Sequence, residues 1–200
     1  TVSIKQIKEF LRKIHFQIPQ NFSLPSEAQW EYACRAGGKN IPFGTRSGKL
    51  SHELANYSGK KGNDKWQHSS PVASFPSNPL GLYDMTGNVS EWVEDSYAAN
   101  YLDVGVNDPI FRKGKRGQVF RGGSFAKQAA PSQCLYRGYI NPTSISVERG
   151  FRISLRKFAN KPTLSNSNFP GTLSSSGNFL ATASGHSVLL WDVRSGSLVA

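Results

Sequence analysis

Two carboxylates stand on either side of a glycine-containing turn near the middle of the chain. Asp84 precedes the pair Gly87 and Asn88, and Glu91 follows it, so several backbone carbonyls lie between the two acids. Hard cations such as calcium bind several oxygens at once, some from carboxylates and some from loop carbonyls. The same spacing also suits a surface turn whose acids are simply solvated. The spacing of the residues leaves both interpretations open.

The stretch around this turn carries a resemblance to a known family. Residues 78–92 read Asn-Pro-Leu-Gly-Leu-Tyr-Asp-Met-Thr-Gly-Asn-Val-Ser-Glu-Trp, which resembles the signature of the formylglycine-generating enzyme (sulfatase-modifying factor) family. Three further blocks follow that family's order: Leu-Pro-Ser-Glu-Ala-Gln-Trp-Glu-Tyr-Ala at 24–33, Val-Phe-Arg-Gly-Gly-Ser-Phe at 119–125 and Gly-Phe-Arg at 150–152. The resemblance implies a loop-rich α+β domain of C-type-lectin-like fold over residues 1–157. It does not by itself imply catalysis, because members share the scaffold without the chemistry.

The resemblance also implies two calcium sites. The first would use the side chains of Asn56 and Asp64 with the carbonyls of Tyr57 and Trp66. The second would use Asp84 and Glu91 with the carbonyls of Gly87 and Val89. Waters would complete six to eight oxygens around each ion, a number that suits calcium better than the strict octahedron of magnesium. For the first site the alternative is a pair of Asx turns without metal.

The two cysteines bear on the founding activity of the family, which converts a sulfatase cysteine to formylglycine with oxygen and copper. Its copper site has two cysteines five positions apart, the second lying three residues before an Arg. Cys134 and Arg137 match the second half of that pattern, but Ala129 stands where the first cysteine would be. Cu(I) prefers two thiolates held close together. We therefore expect no catalytic residue, and Cys134 is the candidate only under the alternative, a copper-dependent oxidase.

The pairing of the cysteines is open from the sequence. Cys34 and Cys134 could form a bridge, but two cysteines in 200 residues make no disulfide framework. We expect two buried, reduced thiols, and the resemblance places Cys34 opposite Ile153.

A segment between the second and third of these blocks is a candidate binding surface. The resembling superfamily includes ligand-binding domains whose variable residues lie between the Gly-Gly-Ser and Gly-Phe-Arg blocks. The matching segment, 126–149, is polar and carries side chains suited to recognition: Gln133, Tyr136, Arg137, Tyr139 and Asn141. Alternatively, this segment is a loop and strand shaped by the fold alone. The predicted function is a non-catalytic, calcium-stabilised recognition or scaffold domain of a larger multidomain protein, with an unidentified protein or small ligand as partner.

Local patterns predict the elements that position these residues. Ile4, Ile7, Leu11 and Ile14 form one apolar helical face over 1–15, with Ser3 as N-cap. A capping box at 26–29 begins a second helix, whose Trp30 and Tyr32 are expected in the core. Residues 119–121 and the alternating stretch 151–156 predict strands. Residues 37–76 show no sustained period.

The C-terminal part differs in composition. Residues 158–176 are rich in Ser, Asn, Pro and Gly and are predicted to be a linker. Residues 177–200 resemble one WD40 repeat, with its Trp-Asp at Trp191 and Asp192, a type of region that mediates protein–protein contacts. A propeller needs at least four blades. We therefore expect a partial blade here, and a family domain that lacks its N-terminal portion.

Composition sets the remaining expectations. The formal net charge is +11, and a basic cluster contains Arg112, Lys113, Lys115, Arg116 and Arg121. No nucleic-acid-binding motif accompanies this cluster, so nucleic acid is not the expected partner. No apolar run is long enough to cross a membrane and no signal peptide is visible, so we expect no membrane partner and a cytoplasmic location.

Overall fold

The computed structural model describes residues 1–18, 21–100, 109–155, 179–184, 187–192 and 197–198, which form a mixed α/β arrangement with one open sheet. The helices are α1 (Ile4–Gln17) and α2 (Glu27–Cys34), with a 3-10 helix at Ala130–Ser132. The strands are β1 (Phe22–Ser23), β2 (Ser90–Ser96), β3 (Gln118–Arg121), β4 (Gly138–Ile140), β5 (Arg149–Leu155), β6 (Phe179–Ser184), β7 (Ser187–Asp192) and β8 (Ser197–Leu198).

Strand β2 organises the sheet, whose order is β4-β3-β2-β5-β6-β7-β8, with β1 also paired to β5. It runs antiparallel to β3 and parallel to β5. In this register Glu91 lies opposite Arg121 on one side and Gly150 on the other. Three of the four sequence blocks therefore meet at Glu91, although they are far apart along the chain.

The two predicted helices are confirmed, each with a capping box. The Ser3 hydroxyl accepts from the Gln6 backbone N–H at 3.4 Å, and the Gln6 side chain accepts from the Ser3 N–H at 2.9 Å. Ser26 and Gln29 make the same reciprocal pair at the start of α2. These bonds satisfy backbone donors that a helix N-terminus otherwise leaves without partners.

The core is built from the inner faces of the helices against the sheet. Ile4 and Ile7 of α1 pack with Trp92, and Trp30 of α2 packs with Val93. Tyr32, expected in the core, is 62% exposed instead. Eight residues make only about two helical turns, and Tyr32 lies on the side of α2 that faces solvent.

The long segment between α2 and β2 contains neither helix nor strand, as its lack of periodicity predicts. Side-chain hydrogen bonds, and not regular secondary structure, hold this segment in position. The Asn78 side chain accepts from the N–H groups of Leu80 and Leu82 and donates to the carbonyl of Ala33 at 2.9 Å. A buried amide that hydrogen-bonds three backbone groups fixes the chain just before the turn between Asp84 and Glu91, the signature turn.

Two arginines expected on polar surfaces lie in the interior. Arg121, part of the predicted basic cluster, is fully buried, and Arg152, on the polar side of the alternating strand, is 1% exposed. Arg121 donates to Glu27 and to Glu31, each at 2.8 Å. A buried guanidinium is tolerated when acids satisfy its donors.

The C-terminal strands extend the sheet. β6 pairs antiparallel with β5, and β6, β7 and β8 form an antiparallel meander. Strand β7 ends at Asp192. The predicted linker 158–176 lies outside the described residues, and both the WD40 blade and the domain boundaries remain predictions. Within the described part of the chain, we find no helix with the length and apolarity needed for a transmembrane span.

Candidate metal site and binding surface

The first predicted calcium site contains two buried oxygens that lack partners. Asn56 and Asp64 are 1% and 2% exposed. One oxygen of Asp64, Oδ2, accepts from the Tyr57 N–H at 3.3 Å and lies 3.0 Å from His52 Nδ1. The other, Oδ1, and the amide oxygen of Asn56 are buried without any hydrogen-bond donor. Leaving such an oxygen unsatisfied costs about 1–3 kcal/mol, so both oxygens are available to a hard cation.

Ring contacts and a hydrogen bond from a side-chain amide hold the loop that carries Asn56 and Asp64. Tyr57 stacks on His52 with ring centroids 4.0 Å apart, and Trp66 meets Phe75 edge-on at 5.7 Å. The Asn56 amide donates to the carbonyl of His68 at 2.8 Å, which directs its oxygen the other way. The loop is thereby ordered around the two unpartnered oxygens.

The signature turn packs directly against this loop. The Asn88 N–H donates to the Asn56 carbonyl at 2.7 Å. Gly87 has a φ of +75°, and a Cβ there would lie 2.1 Å from the same carbonyl oxygen. Glycine is required by both the backbone conformation and the close approach. The two predicted calcium sites therefore adjoin each other, with Gly87 and Asn88 at their junction.

Glu91 of the second predicted site is engaged with protein donors. Trp30 Nε1 donates to its Oε2 at 2.6 Å, and Arg152 Nη2 donates to its Oε1 at 2.6 Å. Arg152 Nε also contacts Oε2. The side chain of Val89 rests against Gly150. A cation at this turn would share Glu91 with the buried arginine, a role that the sequence pattern did not reveal.

Asp84 carries the other carboxylate of this turn. Burial raises its pKa to about 6, an effect that the Ala73 N–H at 2.9 Å and the charge of Arg152 partly offset. Asp84 itself has a φ of +54°, which is uncommon for a residue other than glycine. The turn thus holds a carboxylate in a place where its ionised form is poorly solvated. No three His, Cys, Asp or Glu side chains of the described residues form a metal-binding group, and the predicted ligand sets are instead largely amide and backbone oxygens.

The raised pKa of Asp84 predicts how the stability of the metal-free protein depends on pH. The folded state binds this proton more tightly than the unfolded chain does, so the contribution to stability is greatest below about pH 4 and is lost as pH rises to about 6. We expect melting temperature, measured in chelator, to decline over this interval, and Asp84→Asn to reduce the decline. An identical pH profile for the variant and the unaltered protein would contradict this expectation.

The cysteines form a disulfide, which corrects the expectation of two reduced thiols. Cys34 and Cys134 are bonded, with Cα atoms 5.7 Å apart, and both are fully buried. Cys34 ends α2, and the turn after the 3-10 helix places Cys134 beside it, where its N–H donates to the Pro42 carbonyl at 2.7 Å. Cys34 therefore meets Cys134 and not the position of Ile153. The described residues contain no free cysteine.

The predicted binding residues divide into exposed and interior members. Tyr136 and Tyr139 are 44% and 45% exposed, and Tyr139 stacks on Tyr97 at 3.8 Å. Gln133 is half-buried at the end of the 3-10 helix, and Asn141 is exposed, with its side chain accepting from Thr143.

Arg137 differs from the other four. Its Nε and Nη2 form a two-pronged ion pair with Glu27 at 2.7 and 2.8 Å, and it lies over the ring of Tyr97. Its guanidinium therefore ties the segment to α2. The roles of all five residues in binding remain predictions.

One protein-family model matches most of this chain. The model of the sulfatase-modifying factor enzyme 1-like domain matches residues 1–157. The chain belongs to this family.

Three sequence relatives and one solved structure are similar to this chain. Mouse formylglycine-generating enzyme is 33% identical over 64% of this chain and 38% of its own length. Serine/threonine-protein kinase Pkn1 of Chlamydia trachomatis is 35% identical over 64% of this chain and 20% of its own. The bovine inactive C-alpha-formylglycine-generating enzyme 2 is 38% identical over 42% of this chain and 30% of its own length. PvdO from Pseudomonas aeruginosa has a TM-score of 0.67 at 26% identity, over 78% of this chain and 60% of PvdO. The chain thus spans less than two fifths of these three sequence relatives.

Proposed function

We propose that this chain is a non-catalytic, calcium-stabilised recognition or scaffold domain of a larger multidomain protein. The observation that carries the proposal is the disulfide between Cys34 and Cys134, because it leaves no thiolate in the described residues for a copper ion. Ala129 stands where the copper pattern would need its other cysteine. The family includes a relative named as inactive, so loss of the chemistry within this scaffold has a precedent.

Calcium binding is supported by the unpartnered oxygens of Asn56 and Asp64. Both would gain a partner from one ion, and the carbonyls of Tyr57 and Trp66 are the further ligands that we propose. At the adjoining turn, Asp84 and Glu91 with the carbonyls of Gly87 and Val89 would hold a second ion, which would stabilise the ionised form of Asp84. The ions would supply structural rigidity to a long segment that has no helix or strand.

Recognition is supported by the aromatic surface at the edge strand β4. Tyr136 and Tyr139 offer large, rigid side chains that bind with little loss of conformational entropy, and Gln133 and Asn141 add hydrogen-bonding groups. The stack of Tyr139 on Tyr97 fixes one of these rings before a ligand arrives.

The multidomain context is supported by the chlamydial kinase relative, because the matching region makes up only 20% of that kinase's length. The Trp191–Asp192 pair at the end of β7 fits the proposed start of a WD40 region, which would bind protein partners. Disulfides persist in oxidising compartments, so the bridge favours such a compartment over the cytoplasmic location expected from the sequence.

The alternative function is copper-dependent oxidation of a sulfatase cysteine. It is favoured by family membership and by the spacing of Cys134 and Arg137. It requires the disulfide to open, which would free two adjacent thiols, Cys34 and Cys134, for Cu(I).

Recognition can be tested by probing peptide and glycan arrays with the labelled chain. The double variant Tyr136→Ser/Tyr139→Ser removes the exposed rings of the surface, and Tyr32→Ser removes an exposed ring on α2 as a matched control. We expect at least one ligand class to be bound by the unaltered chain and by the Tyr32 variant, and lost by the double variant. Equal binding by all three proteins would refute the proposed surface.

A further inference from the structure

A cleft of about 360 Å³ lies between α1, β1 and the adjoining ends of β2 and β3. It does not involve any residue of the binding surface at 133–141. Its apolar lining comes from Ile4, Leu11, Phe22 and Leu24. Ligand pockets range from about 300 to 1,000 Å³, so this cleft can take one large side chain with some adjoining backbone.

Two cationic side chains and one carboxylate, Glu94, line this cleft. Lys8 and Arg112 both line it, from α1 and from the loop before β3. Glu9, next to Lys8, pairs with Arg12 instead, and no carboxylate of the described residues pairs with Lys8. Arg112 pairs with Glu94, at 2.5 Å. Three more exposed cations follow Arg112 in the same loop: Lys113, Lys115 and Arg116.

The arrangement combines an apolar floor with two cations and one acid in the lining, next to a loop that carries three further exposed cations. We propose that this cleft binds an acidic peptide segment of a partner protein, with one large apolar side chain in the cleft and carboxylates beside Lys8 and the 112–116 loop. Apolar burial would supply affinity, and the opposite charges would supply orientation and a fast association rate.

The lining favours a peptide over a nucleic acid. Single strands bind to aromatic platforms on which bases stack, whereas the described residues that line this floor are mainly aliphatic, with Phe22 the one aromatic side chain among them. Glu94, which also lines the cleft, is paired with Arg112. A peptide can place its carboxylates away from Glu94 and its apolar side chain inside.

The test measures fluorescence polarisation with a labelled probe peptide, Asp-Glu-Asp-Phe-Asp-Glu-Asp, at about 0.15 M salt. We expect saturable binding that weakens about tenfold when Ser replaces the Phe of the peptide. Lys8→Glu is expected to weaken binding about fivefold or more, because it reverses charge at the rim. The matched control, Lys39→Glu, makes the same charge change at an exposed position after α2 and is expected to alter binding less than about twofold.

Three outcomes would overturn the proposal. One is the absence of saturable binding of the probe. Another is equal weakening by Lys8→Glu and Lys39→Glu, which would indicate a general attraction to the basic chain. The third is tighter binding of a single-stranded DNA oligonucleotide of equal charge, which would assign the surface to nucleic acid. Thermal melts of both variants establish that each is folded, since both positions are exposed.

Discussion

Replacement of Cys134 by serine is expected to lower the free energy of unfolding by about 4–5 kcal/mol. The disulfide joins residues 100 positions apart. In the chain-entropy model, a closed loop of that length restricts the unfolded chain by about 4.7 kcal/mol. The serine variant also leaves a lone thiol and a hydroxyl in a core that excludes water. Few other single changes in this chain should cost as much.

The measurement is chemical denaturation of the unaltered chain with and without reductant, beside Cys34→Ser and the double serine variant. If the bridge is the cause, reduction of the unaltered protein reproduces most of the loss, and reductant has no effect on the double variant. Two thiols that react with a thiol reagent in the native, unreduced protein would contradict the bridge.

Removal of calcium is expected to have an effect of similar size, about 5 kcal/mol when both proposed sites are filled. A ligand that binds only the folded state, at one hundred times its dissociation constant, adds about 2.7 kcal/mol per site. Thermal melts with excess calcium and with chelator measure the total. Identical melting temperatures, with no calcium retained on purification, would refute the calcium proposal.

Isosteric variants separate the two sites. Asp64→Asn and Asp84→Asn each remove one carboxylate and can keep the backbone hydrogen bond that its oxygen accepts, from Tyr57 and from Ala73. Each variant is expected to abolish the stabilisation from one calcium site and to leave the stabilisation from the other site. Glu91→Ala is a poor choice, because it would leave Arg152 buried without its acid, at a cost of about 3–5 kcal/mol unrelated to metal.

Local sequence patterns were sufficient to predict the helices and several strands. Ser3 and Ser26 begin helices because their hydroxyls cap nearby N–H groups, a relation that spans only three residues. The irregular stretch between α2 and β2 was also foreseen, since no period of either kind organises it. These features depend on neighbours in sequence.

Features that depend on distant parts of the chain were not predicted. Arg121 pairs with Glu27 across 94 residues, and Arg152 pairs with Glu91 across 61. Both arginines carry the polarity of a surface residue, and only the folded arrangement of α2, β2, β3 and β5 shows that they pair with acids. The first position of α2 is a signal that could have suggested Glu27, because acids are favoured there and a buried acid needs a cation. The disulfide depends likewise on the placement of α2 beside the 3-10 helix.

The central claim is that this domain recognises a partner and does not oxidise one. The most direct test loads the protein with Cu(I), supplies oxygen, a reductant and a sulfatase peptide with its target cysteine, and searches for formylglycine by mass spectrometry. We expect no product, because the buried bridge between Cys34 and Cys134 leaves copper no thiolate and Ala129 supplies none. Formylglycine that forms with the unaltered chain and disappears with Cys134→Ser would contradict it.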